Sequence, residues 1–139
     1  MDVLVLVGRI LFASLFLLSA VNHLTRTAMM AAYTQSRGLP AAVPATIGSG
    51  VLILAGGLSV ALGIWADLGA LLLAAFVFST ALLMHAFWKE DEVQARQMEM
   101  IHFLKDLALG GAGLMLLAFF SYAGDDLGLT ITGPLFDID

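Results

Sequence analysis

The chain has 139 residues, enough for one domain, of which 60% are hydrophobic and only 12% charged, against ~25% charged in soluble domains, and this composition points to a membrane protein. The net charge of −5 comes mostly from short acidic stretches, and no basic cluster exists that would suit nucleic acid. The absence of cysteine excludes thiol–disulfide chemistry, thiolate metal sites and covalent c-type haem attachment together.

The first apolar run covers residues 3–21, interrupted only by Gly8 and Arg9. At ~1.5 Å per residue it just crosses a ~30 Å hydrocarbon core. No Lys or Arg precedes it and Arg9 lies inside it, a layout unlike a cleaved signal peptide, so it is expected to be a retained span. Asn22, His23, Thr25 and Arg26 mark its exit. Over residues 27–37, Thr27, Thr34 and Arg37 fall near one face with Ala28, Met29, Ala32 and Tyr33 towards the other, which predicts a short interfacial helix ended by Gly38, Pro40 and Pro44.

Spans two and three are expected at 45–65 and 68–88, joined by a very short turn at Trp65-Ala66-Asp67. Trp65 and Trp88 then sit at span ends, where an indole can face headgroups. Gly57/Ala61 and Ser59/Gly63 form small-xxx-small pairs that would let a neighbouring backbone approach. Residues 89–96, K-E-D-E-V-Q-A-R, read as a mixed-charge loop or an exposed continuation of a helix. Span four runs over 101–122, and an acidic tail over 123–139 carries Asp125, Asp126, Asp137 and Asp139, with L-T-I-T ahead of Gly133-Pro134 as a short extended piece on the outer surface. The domain expectation is a four-span membrane unit over 1–122 followed by that tail.

Four spans put the first and third connections on one side, with Arg26, Arg37, Lys89 and Arg96, and both termini on the other. The positive-inside rule makes the connections cytoplasmic and both termini external, in the plasma membrane. Reporter fusions at residues 92 and 139 check this: the first is expected to read as cytoplasmic and the second as external, and a cytoplasmic reporter at 139 would overturn the assignment.

Topology sorts the polar groups within the spans into two layers. On the outer side Arg9 and Asp67 lie at similar depth; an arginine inside a membrane helix costs up to ~2.5–3.5 kcal/mol on insertion scales, so a partner is expected, and an Arg9–Asp67 ion pair is the favoured one, with Asp2 competing and snorkelling to headgroups the bland account. On the inner side His23, His85 and His102 come from three different spans, joined by Asn22, Glu99, Lys105 and Asp106. His102, Lys105 and Asp106, spaced i, i+3, i+4, share one helix face. If these faces turn inward, they form a polar pocket roofed by the 27–37 helix; if not, they mark only where the helices leave the lipid. A quinone wants hydrogen-bond partners at its ring oxygens and an apolar slot, which His and Lys beneath Leu, Met and Phe can offer. A b-type haem would need two histidines opposed across the bundle and ranks behind the quinone. No metal site is expected, since only Asp106 and Glu99 add anionic ligands.

G-R-I-L-F-A-S-L-F-L-L-S-A in span one, Tyr33 through G-L-P at 38–40, H-A-F-W at 85–88 and F-L-K-D-L-A-L-G-G at 103–111 together resemble the DoxX family of small four-span membrane proteins, over roughly residues 7–120. Arg9, His85, Trp88, Lys105, Gly110 and Gly111 match family positions. Asp106 departs, because the family more often has Asn after that Lys. A carboxylate there could pair with Lys105 or His102 and alter any binding site. The resemblance implies a place in membrane redox systems, since family members have been linked to thiosulfate:quinone oxidation and to complexes serving oxidative-stress resistance.

The expected fold is therefore all-α, a four-helix transmembrane bundle with a short interfacial helix after the first span. The expected function is an integral membrane subunit of an oxidoreductase system, quinone-handling and not catalytic alone, with His23, His85, His102, Lys105 and Asp106 as cofactor-binding residues and Arg9 and Asp67 as a structural ion pair. The alternatives are a structural or assembly factor docking a partner protein through residues 89–96, then a small-molecule permease. Expected partners are the lipid bilayer and another protein subunit or a second copy, with no nucleic acid.

Overall fold

The computed structural model describes residues 1–136. Asp137 and Asp139 of the expected tail lie outside the described residues. The chain forms α1 (Asp2–Thr25), α2 (Thr27–Ser36), α3 (Ala42–Leu62), α4 (Ala66–Met84) and α5 (Val93–Ala123), with 3-10 turns at Phe87–Lys89 and Gly124–Asp126. Four of these, α1, α3, α4 and α5, are long and apolar enough to cross a membrane. Together they make a multi-pass membrane bundle, and α2 is the short helix that follows the first span.

The ends of the helices differ from the sequence reading for physical reasons. Span two was expected to reach Trp65, but α3 stops at Leu62 because Gly63 takes a left-handed conformation, φ 68°, and Trp65 follows at φ 45°. At the other end α4 stops at Met84 rather than Trp88: His85 leaves the helix at φ −111°, ψ 42°, and its N–H still reaches the Thr80 carbonyl at 3.3 Å. The mixed-charge stretch divides, with Val93 opening the first turn of α5. Trp65 and Trp88 are each about half exposed, at opposite ends of the bundle.

The spans pack as a series, α1 on α3, α3 on α4, α4 on α5, with α2 laid against α3. Small residues close each seam, as they must where lipid gives helices no hydrophobic reason to associate. Gly57 faces Leu17 of α1; Gly69 faces Ser59 and the Gly56 backbone across α3 and α4; Gly113 faces Ala74 across α4 and α5, and a methyl group at Gly110 would lie 2.6 Å from the Phe78 ring. Gly57 and Ser59 thus serve at interfaces, whereas Gly63 ends its helix. The buried centre is Phe16, Ile53, Val60, Leu73 and Val77. Outward, Val3, Leu4, Leu11, Leu18 and Met115 present an exposed apolar surface that suits a lipid surround.

The expected Arg9–Asp67 ion pair does not form. Arg9, only 1% exposed, donates from Nε to the Val60 carbonyl at 3.0 Å, from one terminal nitrogen to Ala61 at 2.8 Å and from the other to Leu129 at 2.9 Å. Val60 and Ala61 are in the last turn of α3, where carbonyls have no intrahelical N–H, and the hydrocarbon offers no water to take its place. A guanidinium with five N–H groups is therefore a helix cap. Asp67, fully buried in the first turn of α4, instead accepts the backbone N–H groups of Leu135, at 2.8 Å from its nearer oxygen, and Phe136 at 2.6 Å. The segment after α5 thus lies across this end, but as a series of bends with Leu129 at φ 60° and not as the expected extended piece: Ile131 and Thr132 N–H groups both reach the Gly63 carbonyl at 3.0 Å.

Candidate functional site

The opposite end of the bundle holds the polar residues from α1, α2, α4 and α5. Where α4 breaks at His85, the imidazole turns onto α5. Glu99, His102 and Asp106, at i, i+3 and i+7, stand on the α5 face that meets it. Nδ1 of His85 lies 2.7 Å from Glu99 Oε2, and Nε2 lies 3.7 Å from Asp106 Oδ2. The His102 ring stacks on His85 with centroids 5.1 Å apart and planes at 28°. Lys105 sits at the rim, its side chain 49% exposed, with Nζ 3.9 Å from Asp106 Oδ1 and 3.5 Å from His102 Nδ1.

Three residues outside the expected cofactor-binding set, Arg37, Glu90 and Glu99, complete this cluster. Arg37, just past α2, bonds Glu90 at 2.5 Å and also Glu99. Its guanidinium further packs on the Tyr33 ring, 5.3 Å from the centroid. Burial opposes the charge on Arg37, but hydrogen bonds to Glu90 and Tyr33 and the charge of Glu99 outweigh it and hold the group above its ordinary pKa. Polar side chains run in one line: Lys105, Asp106, His85, Glu99, Arg37, Glu90. This line ties the end of α2 and the α4–α5 loop to the inside of α5. In the sequence, Glu99 stood with the inner polar layer and Arg37 only as a charge on the α2 segment, and their separation of 62 positions hid the pairing.

Inside the cluster is a cavity of about 390 Å³, within the ~300–1,000 Å³ range of small-molecule sites. Its walls are mostly apolar, with Leu15 and Phe16 from α1, Phe76 and Leu83 from α4, and Leu109 from α5. Met30, Tyr33 and Thr34 of α2 roof it, as the sequence reading expected. Of the expected site residues, His23, His85, Lys105 and Asp106 line the cavity, while His102 stands behind His85. His102, Lys105 and Asp106 are neighbours on α5 but not equivalent: Asp106 is 5% exposed and inward, and Lys105 points to the rim.

The donor chemistry of the site discriminates between groups it could hold. His85 and His102 stack face to face, so these two are not placed on opposite sides of one iron as a b-type haem requires. Among the described residues no three His, Asp or Glu side chains converge on a point that would hold a metal ion. The cavity pairs apolar walls with one polar end, and there Asp106 keeps Oδ2 enclosed without a hydrogen-bond partner.

A family model described as DoxX matches residues 4–86, from α1 through the broken end of α4, a span that includes Arg9, His23, Asp67 and His85 and leaves α5 outside. No curated protein and no solved structure matches the chain.

Proposed function

The chain belongs to the DoxX family, and from that premise we propose that it is the integral membrane subunit of an oxidoreductase system whose cavity at the α2 end handles a quinone. The observation that carries the reading is the cavity itself: about 390 Å³, apolar along α1, α4 and α5, with His23, His85, Lys105 and Asp106 at one end. A quinone supplies two-electron, two-proton redox chemistry when bound. The residues of this chain supply the binding: the apolar walls take the ring and tail, and the polar end orients the ring oxygens. His102, stacked on His85, and Glu99, bonded to its Nδ1, fix that imidazole in place. Both termini are proposed to face outward, which puts the site at the cytoplasmic side. On this reading the chain works as a subunit beside a partner that carries the electron-transfer chemistry.

The test is gentle purification, extraction of what travels with the protein, and identification of any quinone. Retention of a quinone is expected, and replacing His85, His102 or Lys105 by Ala should lower it several-fold, with His85 the most sensitive because it touches both the cavity and the polar line. A colourless, quinone-free protein that carries a stoichiometric partner would replace this reading with that of a structural or assembly factor.

A further inference from the structure

We infer that the cavity is filled from inside the membrane: it opens sideways to the lipid at Leu15 of α1 and Leu83 of α4, and the tail of a bound quinone leaves through that mouth into the hydrocarbon. The inference rests on the quinone reading above and names the member of that class the site takes, a quinone with a long apolar chain.

A side chain that lines a cavity and is also open to the outside stands at its mouth. Leu15 and Leu83 do both, at 46% and 52% exposure, and Ser79, one turn before Leu83, is exposed beside it. Leu15 is near the middle of α1, ~12 Å along the helix axis from His23. An exposed leucine at that depth of a spanning helix meets hydrocarbon and not water. The other margin is polar: Tyr33 is 39% exposed on the roof and the Lys105 side chain 49% exposed beside Asp106.

The order of the helices leaves room for such a mouth. α1 packs on α3 and α2, and α5 packs on α4, but among the described residues no comparable seam joins α1 to α5. Towards the outer end Phe12 of α1 and Leu116 and Leu117 of α5 close onto the shared core. Towards α2 that space is the cavity. Its volume of about 390 Å³ lies at the small end of small-molecule sites, room for a substituted ring and the first part of a chain. The rest of a long chain has to pass the wall. Past Tyr33 and Lys105 it would reach water and lose its apolar surround, whereas past Leu15 and Leu83 it stays in the lipid it came from. The ring is then held with its oxygens towards His85 and Asp106 and its chain towards Phe76 and Leu15.

The experiment uses the full chain in liposomes carrying, at equal mole fraction, two quinones with the same ring, one with a long isoprenoid chain and one with a single isoprenoid unit. The protein is captured in mild detergent, and the two retained quinones are extracted and quantified. Their ratio is compared between variants, so that partition into the common lipid cancels. Leu15→Trp and Leu83→Trp narrow the mouth. Leu18→Trp and Leu82→Trp place the same indole at leucines that are 67% and 59% exposed but outside the cavity wall. The two mouth variants are expected to lower the ratio of long-chain to short-chain quinone by about 10-fold or more, with short-chain retention changed less than about twofold. The two control variants should leave the ratio as it is. Leu15→Phe and Leu83→Phe, smaller steps in the same direction, replace any mouth variant whose melting midpoint shows that it has not folded, with a fall of about 3-fold expected. An unchanged ratio in the mouth variants, or an equal fall in the controls, would overturn the sideways opening while leaving a quinone site in place. Failure of the unaltered protein to retain either quinone would overturn the quinone reading along with it.

Discussion

Replacing Arg9 by methionine is expected to cost about 3–6 kcal/mol, because the carbonyls of Val60, Ala61 and Leu129 lose their donor at ~1–3 kcal/mol each, most at Val60, whose bond is fully buried. At roughly 2–4 °C per kcal/mol for a chain of this size, the melting midpoint should fall by about 10 °C or more. Methionine has nearly the length of the arginine stem, so the loss reports the guanidinium and not a cavity. Arg9→Lys should recover only part of the loss, since a compact ammonium cannot serve three carbonyls in the fork geometry that arginine supplies. Thermal unfolding followed by circular dichroism in detergent measures both. A midpoint for Arg9→Met within about 2 °C of the unaltered protein would show that the cap contributes nothing.

The second large effect is expected at Glu99. It bonds His85 with one oxygen and Arg37 with the other, and both pairs are shielded, with side-chain exposures of 12–20%. Glu99→Ala leaves the Arg37 guanidinium and the His85 imidazole facing a space the carboxylate had filled. Breaking one partner of a buried pair costs ~3–5 kcal/mol, and the residual exposure here reduces the expectation to about 2–3 kcal/mol. The distinctive consequence is local. Arg37 ends α2, which roofs the cavity, so its release should raise hydrogen–deuterium exchange across Thr27–Ser36 by 10-fold or more while the amides at the centre of α4 keep their protection. Retention of a co-purified quinone should fall with it. Uniform loss of protection over all helices would mean that Glu99 supports global stability and does not specifically hold the roof.

How far these sites could be read from the sequence depends on which interactions leave a mark in it. The spans were legible because bilayer thickness demands long apolar runs, and α2 because Gly38 and the prolines after it bound a short segment at the first exit. Arg9 was legible as a problem: a charge inside an apolar run must be satisfied. Its solution was not, because the partners are backbone carbonyls at a helix end fixed by Gly63 and by a tail segment more than a hundred residues away, and every residue type carries a carbonyl. Asp67 misled for the same reason, as its partners are backbone N–H groups. At the other end, three histidines from three spans predicted a shared polar layer, and His23 and His85 do meet the same cavity. Glu99 and Arg37 stood outside the expected binding set, because an edge charge reads as solvated until the fold shows what covers it. The split between Lys105 at the rim and Asp106 inside turns on about 100° of helix rotation between adjacent positions, which a shared-face argument does not resolve.

The cap on α3 also bears on how the protein is made. Arg9 enters the membrane with the first helix, but its first acceptor, Val60, lies 51 positions further along the chain. At ~5–20 residues per second, synthesis leaves the arginine waiting for about 3–10 s before α3 can receive it. During that interval the guanidinium has none of its helix-end acceptors beside it. The last bond, to Leu129, closes 120 positions after Arg9, so this end of the bundle is fastened only after α5 has been synthesised.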